Sequence, residues 1–121
     1  MIATTTFSSG STGDKTYALL PFTPKALRFK VLKPGFADST IQFIGGGYTD
    51  GAAHEGFSIT SDGTTVQTFT DLAKCLLCYD IVGGVSTKVL EASFVSFGLN
   101  RFKLNFTVAS AVYQIEATLL S

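Results

Sequence analysis

The chain has 121 residues, 45% of them apolar and only 15% charged, with a mean hydropathy of +0.33 and nine basic residues balancing nine acidic ones. That length reads as one domain with room for a sizeable core, but with less than the roughly 25% charge of an ordinary soluble domain. Zero net charge excludes the electrostatic footprint of a nucleic-acid binder and any polybasic pull toward anionic membrane, and so apolar a chain is not intrinsically disordered.

Met1 to Phe7 has neither the cationic nor the apolar region of a secretory signal. No apolar run approaches the roughly 20 residues of a membrane span, so a cytosolic folding site is the plain expectation. Residues 1–15, rich in Ser, Thr and Gly, read as an N-terminal arm with one early strand around Ile2–Phe7, and residues 16–121 as the folded domain. Ordering such an arm costs about 1–2 kcal/mol of backbone entropy per residue, with little local return from Ile2 and Phe7. The expected compensation is strand addition to a neighbouring subunit, so deleting Met1–Gly13 should spare the fold.

Threonine, phenylalanine, valine and isoleucine dominate the remainder, a palette that suits a pleated, half-buried surface. Period-2 alternation puts Leu27, Phe29 and Val31 on one face of a strand over Ala26–Leu32, between Pro24 and a Pro34-Gly35 turn. Ser39–Ile44 reads as the next strand, ended by Gly45-Gly46-Gly47, with a long loop from Gly45 to Gly56. Gly56–Thr60 and Thr65–Phe69 form a hairpin around the Asp62-Gly63 signature of a two-residue turn. Thr70–Tyr79 is the one helix candidate, better read as a single helical turn over Asp71–Lys74.

Cys75–Val82 and Thr87–Phe97 flank a Gly83-Gly84 turn, with Leu90, Ala92 and Phe94 facing one way. Beyond Gly98-Leu99-Asn100, Phe102, Leu104, Phe106 and Val108 alternate with Arg101, Lys103, Asn105 and Thr107. The last strand sets Ala111, Tyr113, Ile115, Ala117 and Leu119 against Val112, Gln114, Glu116 and Thr118. About eight strands at this spacing predict an all-β fold: a single antiparallel β-sandwich, jelly-roll-like.

Few residues invite chemistry. Cys75 and Cys78 have CxxC spacing, but no βαβ context accompanies them and one histidine cannot complete four zinc ligands. Core or interface thiols are the favoured reading. His54, between Asp50 and Glu55 in a Gly- and Ala-rich stretch, lacks a local nucleophile or paired carboxylate, so a solvated loop histidine is favoured over a catalytic one.

The Gly45–Gly47 and Gly83–Gly84 runs match no phosphate loop. Asp50, Asp62, Asp71 and Asp80 are too scattered for a calcium loop. Phe94, Phe102, Phe106 and Tyr113 fall on apolar strand faces, as core residues do. No catalytic, cofactor-binding or metal residue is assigned, no cofactor is expected, and the chain is not expected to be an enzyme.

Three stretches carry a resemblance. Leu20-Pro21-Phe22-Thr23-Pro24-Lys25-Ala26-Leu27-Arg28-Phe29, the Gly46-to-Phe57 segment, and Glu91–Phe97 followed by Arg101–Thr107 resemble small structural proteins of tailed bacteriophages. The resemblance implies a virion β-sandwich, made in the host cytoplasm, that acts as a capsid decoration or cement subunit. Its partners would be the major capsid protein or another virion protein, and copies of itself, with a trimer favoured. The alternative is a carbohydrate- or receptor-binding module, such as a tail-fibre tip or small lectin, using the Gly45–Gly56 loop with Asp50, His54 and Glu55 as polar contacts.

Overall fold

The computed structural model describes residues 1–32 and 42–121. The expected Pro34-Gly35 turn and the start of the second strand at Ser39 lie outside the described residues. Ten strands are present: β1 Ile2–Ser8, β2 Gly13–Tyr17, β3 Ala26–Leu32, β4 Gln42–Thr49, β5 His54–Ser61, β6 Val66–Asp71, β7 Leu76–Val82, β8 Val85–Gly98, β9 Arg101–Ala109 and β10 Gln114–Leu120. No helix occurs among the described residues. The fold is all-β, antiparallel and sandwich-like, its sheet curled into a half-barrel.

Pairing runs β1-β10-β3-β4-β7-β8-β9-β2, with the β5–β6 hairpin attached to β4 off that path. Alternation decides which residues enter the curl. Leu27, Phe29 and Val31 of β3 are buried, as are Ile115, Ala117 and Leu119 of β10, Leu90 and Ala92 of β8, and Phe102, Leu104 and Phe106 of β9. These are the apolar faces expected from the sequence, apart from Ala111, which precedes β10 and is exposed, and Val108, which a register shift against β8 takes out of the core in favour of Ala109.

The N-terminal residues are strands of the chain's own sheet. β1 pairs with β10 from Ile2↔Leu120 to Ser8↔Gln114, and β2 pairs with β9 from Gly13↔Phe106 to Tyr17↔Phe102. The two ends of the sheet meet through side chains. The Phe7 and Tyr17 rings lie 4.1 Å apart, both contact Phe102, and the Tyr17 hydroxyl donates to the Ser8 carbonyl at 2.9 Å. Burial in this cluster pushes the Tyr17 phenol up to about 12. The strand addition expected from a neighbouring chain is thus supplied by β10 and β9.

The glycine run is the second departure. β4 does not stop at Gly45; it continues through Gly45-Gly46-Gly47 to Thr49. A Cβ on Gly47 would collide with the Cys75 carbonyl, and one on Gly45 would lie 2.6 Å from both Cys78 Cβ and the Leu77 oxygen. Across the hairpin, a Cβ on Gly56 would sit 2.9 Å from Leu77 Cβ. The missing side chains let β7 lie directly against the inner face of β4 and β5. The long Gly45–Gly56 loop therefore shrinks to residues 50–53.

The β5–β6 ladder closes at Ser61↔Val66, which makes the connection four residues, 62–65, rather than a two-residue Asp-Gly turn. Asp62 organises it, its carboxylate accepting from the Thr64 and Thr65 amides at 2.9 and 2.7 Å. Its second oxygen accepts from Gly84 at 2.9 Å, which ties this turn to the β7–β8 turn. Stacking of Phe69 on Tyr79, 3.7 Å between centroids, and the Gln67–Ser86 hydrogen bond fix β6 over β7 and β8. Asp71–Lys74 is a single hydrogen-bonded turn, its Asp71 carboxylate accepting from Ala73.

Candidate functional site

The outward face of β3, β4 and β5 is shaped by the middle glycine of the run, Gly46. Its cross-strand rows are Arg28↔Tyr48↔Glu55 and Ile44↔Ile59, with Lys30 opposite Gly46. Because Gly46 has no side chain, the Phe57 ring folds over it, 3.3 Å from where a Cβ would stand. Beside the ring lies a recess of about 300 Å³ lined by Arg28, Lys30, Ile44, Phe57, Glu116 and Thr118.

Large apolar groups stay open here: Ile44 is 56% exposed, Phe57 36%, Ile59 41%, and Val66 on the adjoining β6 66%. The charges around them, Arg28, Lys30, Glu55 and Glu116, enter no ion pair among the described residues. An aromatic and aliphatic centre thus stands exposed within a rim of charges of both signs. The sequence hid it, because alternation marks the inward face and says nothing about an outward one that is also apolar. The one available signal was Phe57 and Ile59 sharing parity with Glu55, a charged residue that faces water.

Of the acid–base candidates, His54 and Glu55 line one shallow recess with Tyr48 and Leu72, and Asp50 lies in the adjoining turn. Asp50 is consumed by its own turn, where its carboxylate accepts from Ala52 and Ala53 at 2.9 and 2.7 Å; these bonds hold its pKa below the usual range. His54 Nδ1 is hydrogen-bonded to Thr49 Oγ1 at 2.8 Å, and its ring stacks on Phe94 with 5.9 Å between centroids. It is half-buried, not the solvated loop residue expected. Glu55 has the opposite parity and points to the outward face.

Cys75 and Cys78 both belong to the core. Cys75 lies in a bend ahead of β7, so strand parity does not extend to it. Its thiol donates to the Ala92 carbonyl at 3.5 Å, and burial pushes it up to about 12, far from a reactive thiolate. Asp50, Asp62, Asp71 and Asp80 sit in separate turns or strands. Among the described residues no group of three or more His, Cys, Asp or Glu is placed to hold a metal.

Among the described residues, Glu91 is the one buried charge, and sequence reasoning missed it. Lys88 donates to one oxygen at 2.5 Å, Thr107 to the other at 2.6 Å, and Lys74 lies 3.7 Å away. Burial alone would raise the carboxyl, but the Lys88 and Thr107 hydrogen bonds outweigh it and hold the pKa below the usual range. All its oxygens are engaged within the sheet, so the group is structural. Comparison with family models, curated proteins and solved structures finds no match.

Proposed function

We propose that this protein is a non-enzymatic structural subunit of a bacteriophage virion, a capsid decoration protein that binds the shell through the outward β3–β4–β5 face and assembles with copies of itself. The observation that carries the reading is that face: Ile44, Phe57 and Ile59 exposed together, framed by Arg28, Lys30, Glu55 and Glu116. Contiguous exposed apolar surface of this kind marks an interaction site, and its tyrosine, phenylalanine and arginine are the residue types that anchor interfaces. Asp50 is held by its own turn and His54 by Thr49, which leaves Glu55 as the one of the three without a side-chain hydrogen-bond partner among the described residues and favours this reading over a glycan site built on them.

Quantitative mass spectrometry of purified particles, with glycan-array binding of the isolated chain, tests it. The expected result is a copy number close to that of the shell protein and no glycan bound. Absence from particles would overturn the proposal, and glycan binding with few copies per particle would favour the receptor-binding module.

A further inference from the structure

We propose that the free edge of β6 pairs with the same edge of a second copy of this chain, antiparallel about a two-fold axis at Thr68. β6 pairs only with β5, and among the described residues no other backbone partner engages Val66–Thr70. The Asp62 amide donates to the Thr65 carbonyl across the turn. Antiparallel alternation then turns the N–H and C=O groups of Val66, Thr68 and Thr70 away from β5.

An open edge is a template for another strand, and proteins usually blunt it with lysine, proline, a bulge or a very short strand. β6 has none of these: Val66-Gln67-Thr68-Phe69-Thr70 is uncharged, β-prone and regularly paired throughout. β1 and β2, at the other two ends of the sheet, likewise pair with one strand each, but they meet through the Phe7 and Tyr17 rings, and β2 carries Asp14 and Lys15. β6 is also held rigid. The Phe69–Tyr79 stack, the Gln67–Ser86 bond and the Asp62–Gly84 bond fix it from behind, so little ordering cost remains for a partner strand.

The occupant is a second copy because this edge is self-complementary. An axis at Thr68 sets Thr68 opposite Thr68 of the second copy, Val66 opposite Thr70, and Gln67 opposite Phe69. Asp71, the one charge within β6, falls opposite Thr65, so no like charges meet in the strand pair. On the outward face the row Ile44–Ile59–Thr68 runs on unbroken into the same row of the second copy. Threonine pairs and aligned β-branched residues are favourable cross-strand neighbours. Such a contact is isologous and closes at two copies, in place of the trimer expected from the sequence. It does not depend on the virion reading and fails separately from it.

Sedimentation of the full chain across a wide concentration range, alongside Thr68→Lys and Thr68→Pro, tests this. Both variants alter an exposed outward residue. Lysine would face lysine across the axis, and proline removes an N–H that points away from β5, which an edge strand tolerates. The expected result is a monomer–dimer equilibrium for the native chain, weakened about tenfold or more in both variants with melting temperature nearly unchanged. If the proline variant unfolds, the lysine variant decides alone. A native chain that stays monomeric throughout, or an oligomer that either folded variant leaves intact, overturns the proposal.

Discussion

Thr60 carries a hydroxyl into the interior between β5 and the strands behind it, fully buried and without a hydrogen-bond partner among the described residues. A buried unsatisfied polar group costs about 1–3 kcal/mol. Thr60→Val, close in shape, is therefore expected to stabilise the chain by about 1 kcal/mol, read as a rise in the denaturant midpoint. Glu91 gives the opposite expectation with a pH signature. Its folded pKa is depressed, so its contribution is present above the unfolded value near ~4.3 and is lost as pH falls through the folded value. Glu91→Gln should cost about 1–3 kcal/mol at neutral pH, and urea titrations should show native and variant converging in acid. A gap that persists below the glutamate range would mean that charge is not what Glu91 contributes.

Among the elements, β4 separates what the sequence made legible from what it did not. Strands β3 and β9 could be read to within a residue or two, and β10 apart from its start, expected at Ala111 and found at Gln114, because one face is buried and the other solvated. Gly45-Gly46-Gly47 looks like a break in that pattern, and glycine does punctuate most strands. Here a third strand, β7, lies against the hairpin, and only tertiary contact makes the absence of side chains informative. β2 was missed for a related reason: Tyr17 is its one large apolar residue, and its pairing with β9 is fixed by the curl. Gly47→Ala should be far more damaging than a propensity penalty, at least about 3 kcal/mol, since the Cys75 carbonyl cannot yield without moving β7. Thermal melting of Gly47→Ala beside Gly83→Ala checks this. Gly83 has open space around it and a φ of 58°, so it should lose only about 1 kcal/mol of left-handed preference.

For the molecule as a whole, closure of the curled sheet depends on its first residues. Removing Met1–Gly13 strips β1 from β10 and takes Phe7 out of the aromatic cluster with Tyr17, Phe29 and Phe102. Contrary to the reading of these residues as a dispensable arm, that deletion is expected to abolish cooperative unfolding. Phe7→Ala alone should cost about 2–3 kcal/mol, somewhat below the 3–5 typical of a fully buried phenylalanine, because Phe7 stays partly exposed. A sharp, unshifted melt of the truncated chain would show that β10 can serve as an edge. The proposed partner surfaces are the outward β3–β4–β5 face and the β6 edge beside it. Cryo-electron microscopy of the native particle tests that assignment most directly. The expected density sits on the shell with Ile44, Phe57 and Ile59 turned against it. Density with that face turned to solvent, or no density on the shell at all, would contradict it.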